Sequence, residues 1–167
     1  VMVQIAPSML AADFLHLEKD VELVNNHADI FHLDIMDGTF VPNISYGFPI
    51  VEAIAKIATK PLDAHLMIVH PEKYVDRFAK VGVQMLSFHL NAVDNAGQVL
   101  AQIRAAGMSP GLAINPDIPV EKLFPYLDQC DYVVLMSVFA GFGGQKFIEA
   151  TYNRVETLKA EIERQGV

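Results

Sequence analysis

The sequence contains 167 residues, of which 52% are hydrophobic and 19% are charged, a composition that predicts one globular domain. Its formal net charge of −8 argues against a nucleic-acid-binding surface. The single cysteine, Cys130, excludes an internal disulfide and fits a reducing cytoplasm, and no apolar run approaches the roughly 20 residues that span a membrane. We therefore expect a cytoplasmic protein that binds neither nucleic acid nor membranes.

Hydrophobic periodicity predicts six units along the chain, each a strand followed by a helix. Asp13 is the expected N-cap of the first helix, and Gly166 is expected to end the last one. The predicted strands occupy residues 4–8, 31–36, 62–67, 85–89, 111–114 and 132–136, and the predicted helices occupy residues 15–25, 50–58, 70–78, 96–106, 120–127 and 148–164. Such alternation requires a parallel sheet covered by helices.

Two architectures are compatible with this alternation, and the polar residues of the strands distinguish them. A doubly wound sheet is complete with five or six strands and is apolar on both faces, whereas a (β/α)8 barrel has a polar layer inside. Polar side chains share one parity in three predicted strands: His32, Asp34, Asp63, His65, Ser87 and His89. We therefore expect an α/β fold, a (β/α)8 TIM barrel, with about six units in a single domain over residues 1–167 and two more units to follow.

The strongest chemical pattern lies in the second and third predicted strands. His32 and Asp34 lie on one strand face, and His65 occupies the same face of the next strand. Imidazole and carboxylate groups at this spacing can share a metal ion or a proton. The pair His32 and Asp34, taken alone, is equally compatible with an internal ion pair.

A glycine-rich loop follows the sixth predicted strand. Residues 140–145 read Ala-Gly-Phe-Gly-Gly-Gln, and glycines allow successive backbone N–H groups to turn toward an anion. A helix start behind the loop would add a favourable dipole. Most such loops are ordinary turns, but the position after a late barrel strand favours phosphate binding.

Four motifs in order resemble the ribulose-phosphate 3-epimerase family, whose members act as pentose-5-phosphate 3-epimerases. They are residues 6–14, 32–43, 63–67 and 141–145. The resemblance covers all 167 residues and implies a barrel of the ribulose-phosphate-binding type. It implies an isomerase of the pentose phosphate pathway, which converts D-ribulose 5-phosphate to D-xylulose 5-phosphate through a cis-enediolate, with two Asp residues as acid and base. We also expect a homo-oligomer.

The resemblance assigns a role to each residue of the polar face. His32, Asp34 and His65 would bind one divalent metal ion, with a fourth carboxylate from the seventh strand. Nitrogen and carboxylate ligands suit Zn²⁺ best, although Fe²⁺, Mn²⁺ and Co²⁺ also fit. Asp34 would remove the C3 proton, and the second catalytic Asp would lie beyond Val167.

The resemblance also implies a set of substrate contacts. Ser8 and His65 would contact the sugar phosphate, and methionine side chains would surround the reacting carbon without supplying competing protons. The implied substrate-binding residues are Ser8, His65, Met36, Met67, Met136, Gly141, Phe142, Gly143 and Gly144, the last four through backbone groups that hold the phosphate.

At two positions the sequence departs from the family pattern, so more than one substrate is compatible with it. Phe139-Ala140 stands where the family usually has Asn-Pro or Asp-Pro, and Asn91 stands where it usually has Glu. An epimerase acting on D-allulose 6-phosphate and a non-catalytic phosphate-binding barrel are therefore alternatives. A decarboxylase or an aldol-type synthase is disfavoured because those sites generally use Lys on a strand, and no predicted strand contains Lys.

Overall fold

The computed structural model describes residues 2–167 and contains, within them, a single parallel sheet of five strands in chain order. The strands are β1 (Phe31–Met36), β2 (Leu62–Met67), β3 (Met85–His89), β4 (Ser109–Ile114) and β5 (Tyr132–Leu135). Each strand pairs in parallel with the next one along the chain. A doubly wound sheet would reverse its strand order at a switch point, so the uninterrupted order confirms barrel-type winding.

Helical segments alternate with the strands, as the periodicity predicts. They are α1 (Leu17–His27), α2 (Phe48–Ile57), α3 (Val75–Val81), α4 (Ala96–Ala105) and α5 (Thr151–Gln165), and short 3-10 turns cover Met9–Ala11, Phe14–His16, Pro71–Lys73, Leu90–Ala92 and Val120–Tyr126. Asp13 caps the first helical segment by accepting a hydrogen bond from the Leu15 amide. Gly166, in the left-handed conformation, ends α5.

The prediction of a strand at residues 4–8 is wrong, although that segment does lie beside β1. Ser8 forms one isolated parallel bridge with His32, and the carbonyl of Ile5 accepts hydrogen bonds from the amides of Asp29 and Ile30. Pro7 has no N–H group and so cannot extend a ladder. The segment therefore contributes Ser8 to the edge of the sheet without forming a regular strand.

Three predicted helices differ from the observed elements. The one predicted over residues 70–78 is a 3-10 turn at Pro71–Lys73 followed by α3 at Val75–Val81. Residues 120–126 form a 3-10 helix that contains Pro125, whose ring removes the N–H donor an α-helix would use. The last helix begins at Thr151, three residues later than predicted, so it does not start directly behind the glycine-rich loop.

The two faces of the sheet have different chemistry, which confirms the predicted parity. Phe31, Leu33 and Ile35 of β1 are buried in the main core, which the helices cover. On the opposite face, Met36 and Met67 form a separate small apolar cluster with Val41 near the carboxyl ends of the strands. No helix among the described residues has the length and apolarity that crossing a membrane requires.

Candidate active site

A cavity of about 460 Å³ opens at the carboxyl ends of the strands, where barrel active sites lie. It is lined by all but one of the residues that the sequence predicts for the site: Ser8, His32, Asp34, Met36, His65, Met67, Met136, Gly141, Phe142 and Gly143. Gly144 belongs to the same loop but does not line the cavity.

The register between β1 and β2 brings the polar residues together. His32 pairs with Asp63, Asp34 with His65, and Met36 with Met67. Because side chains alternate along a strand, residues of matching parity on paired strands project from one face. Same-face residues two apart therefore become a cluster two strands wide.

Asp34 is the centre of this cluster. Its Oδ1 atom lies 3.1 Å from His32 Nε2 and 3.0 Å from His65 Nδ1, and the hydroxyl of Ser8 donates to its Oδ2 atom. One ligand atom from each of Asp34, His32 and His65 lies within 4.8 Å of the others. The two oxygens of Asp34 thus have different surroundings, one between imidazoles and one beside a hydroxyl.

Each imidazole uses its second nitrogen for another side chain. His32 Nδ1 lies 3.0 Å from Asp63 Oδ2, and His65 Nε2 lies 2.8 Å from His89 Nε2. The Tyr132 hydroxyl donates to Asp63 Oδ1 over 3.0 Å. Asp63 and His89 carry the predicted polar parity but had no assigned role, and Tyr132 was not identified from the sequence.

Two residues in the loop after β1 hold the backbone of Asp34. Its amide donates to the Tyr46 hydroxyl over 3.1 Å, and its carbonyl accepts from Ser45 Oγ over 2.6 Å. Ser45 Oγ also accepts from the Met36 amide over 3.0 Å. Sequence reasoning missed both residues, because nothing local indicates that the chain folds back onto β1.

The electrostatics of the cluster favour an ionised Asp34. Burial by itself would raise the pKa of this carboxyl, but hydrogen bonds from His32 and His65 hold the pKa well below its usual range. Burial would lower the pKa of His32, yet hydrogen bonds to Asp34 and Asp63 outweigh it and raise the pKa to about 10. Burial and the neighbouring charge of His65 lower the pKa of His89 to about 3.

The donor set fits a divalent metal ion. Two imidazole nitrogens and one carboxylate oxygen converge, which are ligands that transition metals accept. The nitrogens of His32 and His65 that face away from the cluster engage Asp63 and His89, and such outer partners fix ring orientation in metal sites. The same carboxylates that raise the pKa of His32 and so favour a proton on its ring would also attract a cation, which would take the place of that proton.

Comparison with known proteins decides the family. The sequence matches the Ribulose-phosphate 3 epimerase family over residues 4–167. The ribulose-phosphate 3-epimerase of Synechocystis sp. is 43% identical over 166 residues, which make up 98% of this chain and 72% of that protein. The one from Bacillus subtilis is 40% identical over 166 residues, 99% of this chain and 76% of that protein.

This chain belongs to the ribulose-phosphate 3 epimerase family. The resemblance carried by its four motifs is thereby confirmed, and the family is one of enzymes. A mutant tryptophan synthase alpha-subunit from Pyrococcus furiosus matches the structure with a TM-score of 0.70 at 15% identity, over 94% of this chain and 73% of that one. At this identity the match shows a shared fold, which agrees with barrel winding.

The glycine-rich loop of this family member is braced at several points. Asn43 Nδ2 donates to the Gly141 carbonyl over 2.9 Å, and the Ala140 amide donates to Asn115 Oδ1 over 2.9 Å. Gln145 Nε2 donates to the carbonyls of Phe139 and Phe142 over 2.7 and 2.9 Å. These contacts hold the loop against the cavity although a phenylalanine and an alanine replace the family's usual Asn-Pro or Asp-Pro.

Proposed function

We propose that the protein epimerises D-ribulose 5-phosphate and D-xylulose 5-phosphate at C3. The names of its curated relatives support this reaction. The observation that carries it is the carboxylate of Asp34, placed on the wall of the cavity between His32, His65 and Ser8. Epimerisation beside a ketone requires a base held ionised and aimed at a weakly acidic C–H group, which is what this cluster provides.

The two carboxylate oxygens of Asp34 have different roles in this proposal. Oδ1, between the imidazoles of His32 and His65, is the oxygen that faces the metal-ligand cluster. Oδ2, which accepts from Ser8, takes the C3 proton as the cis-enediolate forms. The second Asp expected from the family resemblance would return a proton to the opposite face.

His32, Asp34 and His65 would hold one divalent metal ion, for which Zn²⁺ is the first candidate and Fe²⁺, Mn²⁺ and Co²⁺ are others. When bound, the ion would stabilise the negative charge that develops on the substrate's C2 and C3 oxygens. Asp63 and His89 would keep the two histidine rings in ligating orientation.

The remaining walls of the cavity exclude water and hold the phosphate. Met36, Met67 and Met136 present thioether side chains that carry no exchangeable proton. Gly141 and Gly143 also line the cavity, and Gly141 adopts a positive φ of 130° that few other residues could match. We infer that the backbone of this loop binds the substrate phosphate.

A second candidate substrate is D-allulose 6-phosphate. Phe139, Ala140 and Phe142 line the cavity next to Gly141 and Gly143, and Phe139-Ala140 is where this chain departs from the family pattern. A difference beside the proposed phosphate site would change the distance between phosphate and reacting carbon that the site accepts. The reaction at C3 would be the same for the six-carbon sugar.

Proton exchange distinguishes these candidates. The purified protein is incubated in D₂O with ribulose 5-phosphate or allulose 6-phosphate, with and without a chelator, and deuterium at C3 is followed by NMR. We expect exchange and epimerisation of ribulose 5-phosphate that a chelator abolishes. Faster turnover of allulose 6-phosphate would support the second candidate, and no exchange with either sugar would indicate a non-catalytic protein.

A further inference from the structure

We propose that Tyr132 is a positioning residue for the metal site, acting through Asp63 on His32. The inference rests on the metal role proposed above and adds to it a residue that neither the motifs nor the family match assigns. It concerns a series of hydrogen-bonded side chains that crosses the inner face of the sheet from β5 to β1.

The hydrogen-bonded series consists of three consecutive contacts. The Tyr132 hydroxyl donates to Asp63 Oδ1 over 3.0 Å, and Asp63 Oδ2 lies 3.0 Å from His32 Nδ1. His32 Nε2, on the far side of the ring, faces Asp34 Oδ1 at 3.1 Å. Each oxygen of the Asp63 carboxylate therefore has its own partner, one from β5 and one from β1.

A glycine on β4, which has no side chain, leaves the space that the Tyr132 ring needs to reach Asp63. Gly111 is the register partner of Tyr132, and a Cβ atom at position 111 would overlap the tyrosine ring. The ring therefore lies over Gly111 and extends toward Asp63 on β2. Tyr132 is thus seated in a space shaped to its ring, not simply exposed at the edge of the sheet.

The hydroxyl of Tyr132 matters because Asp63 is only 7% exposed. A buried carboxylate held through one oxygen can rotate about its side-chain torsions, whereas a carboxylate held through both oxygens cannot do so without breaking a hydrogen bond. In a metal-bound His32, whose ring would carry one proton, a fixed Asp63 would keep that proton on Nδ1 and leave Nε2 to ligate. Tyr132 is in this way two hydrogen bonds away from the metal-facing nitrogen.

The test removes the hydroxyl and keeps the ring. Zn²⁺ affinity of the purified protein is measured by competition with a chromogenic chelator for wild type, Tyr132→Phe, Asp63→Asn and the double variant. Removing a direct outer partner of a metal ligand typically costs about 10–100-fold in affinity, so for Tyr132→Phe, one step further away, we expect about 3–10-fold. Tyr152→Phe is the matched control, because Tyr152 is 67% exposed on α5 and loses the same atom.

Action through Asp63 predicts a specific pattern. The double variant should bind Zn²⁺ no more weakly than Asp63→Asn alone, because the Tyr132 hydroxyl has no route to His32 once the carboxylate is gone. The ¹⁵N shifts of the His32 ring in the metal-free protein provide a readout independent of activity, and they should change in Tyr132→Phe but not in Tyr152→Phe. A merely structural role would lower the melting temperature without changing either quantity.

The outcomes separate this inference from the proposed function. Wild-type protein that binds none of Zn²⁺, Fe²⁺, Mn²⁺ and Co²⁺ would overturn the metal role and this inference together. Wild-type protein that binds Zn²⁺, with unchanged affinity and unchanged His32 shifts in Tyr132→Phe, would overturn the positioning role alone. Fully additive effects of the two substitutions would also overturn it, because they would show that Tyr132 acts independently of Asp63.

Discussion

Two aspartates three residues apart allow the proposed base to be tested against a close control. Asp34 lies on the inner face of β1, in the cavity, whereas Asp37 follows the strand and faces a turn. Asp37 Oδ1 accepts from the amides of Thr39 and Phe40, and its Oδ2 accepts from the Val69 amide, each over 2.8 Å. Asp34→Asn should therefore impair catalysis, and Asp37→Asn should impair stability.

The size of the Asp34→Asn effect follows from what the carboxylate does in the cluster. An amide of the same shape cannot accept the C3 proton, and it presents a neutral group to His32 and His65. Loss of a general base costs about 10²–10⁴-fold, or about 2.7–5.4 kcal/mol of transition-state stabilisation at 1.36 kcal/mol per factor of ten. Because the substitution would also weaken the proposed metal site, kcat/KM should fall by at least that factor.

The size of the Asp37→Asn effect follows from its three backbone hydrogen bonds. An amide can keep the Thr39 and Phe40 contacts through its oxygen but must then turn its NH₂ group toward the Val69 amide. A hydrogen bond to a charged group contributes about 1.5–3 kcal/mol, and we reduce this to about 1 kcal/mol because the Asp37 side chain is partly exposed. The melting temperature should fall by about 2–4 °C per kcal/mol for a chain of this size, with kcat/KM within roughly threefold of wild type.

Both variants are assayed for epimerisation and for thermal unfolding, and circular dichroism verifies that each is folded at the assay temperature. The reasoning fails if Asp37→Asn loses more activity than Asp34→Asn. It fails equally if folded Asp34→Asn retains activity within tenfold of wild type, because no other carboxylate of the described residues lines the cavity.

The metal, the pH dependence and the phosphate loop give three further predictions. Elemental analysis of freshly purified protein should find about one divalent ion per chain, and His65→Ala should remove it; full activity in a metal-free preparation would contradict the metal role. Burial alone would raise the pKa of the Asp37 carboxyl, but hydrogen bonds from backbone amides lower this pKa from 3.8. The ionised carboxylate therefore stabilises the folded protein above pH 3.8, and this stabilisation is lost as the pH falls through the lower pKa of the folded state. The difference in melting temperature between wild type and Asp37→Asn should accordingly shrink in strong acid, and a constant difference would exclude this cause. Asn43→Ala removes the donor to the Gly141 carbonyl and should raise KM for the sugar phosphate about fivefold, the equivalent of about 1 kcal/mol. The control is Asn95→Ala, which removes the N-cap of α4 and should lower stability while leaving KM unchanged.

The inner face of the barrel could be predicted from the sequence because strand parity is a local property. His32 and Asp34 are two residues apart on one strand, so any strand through them places both side chains on one face. The glycine-rich loop was predictable for a similar reason, since Gly141 adopts a backbone conformation that the residue type itself permits. Local pattern was insufficient at residues 4–8, where alternation suggested a strand but the Pro7 ring prevents a ladder.

The partners of those residues required the tertiary structure. Parity gives the face of a side chain but not its neighbours, which depend on the register between strands and on the free space above them. Tyr132 reaches Asp63 across 69 residues of sequence, and it can do so because Gly111 leaves room for its ring. The residues of the candidate metal site are therefore specified by the sequence of two short strands, whereas the side chains that hold them in place are selected by how five strands align.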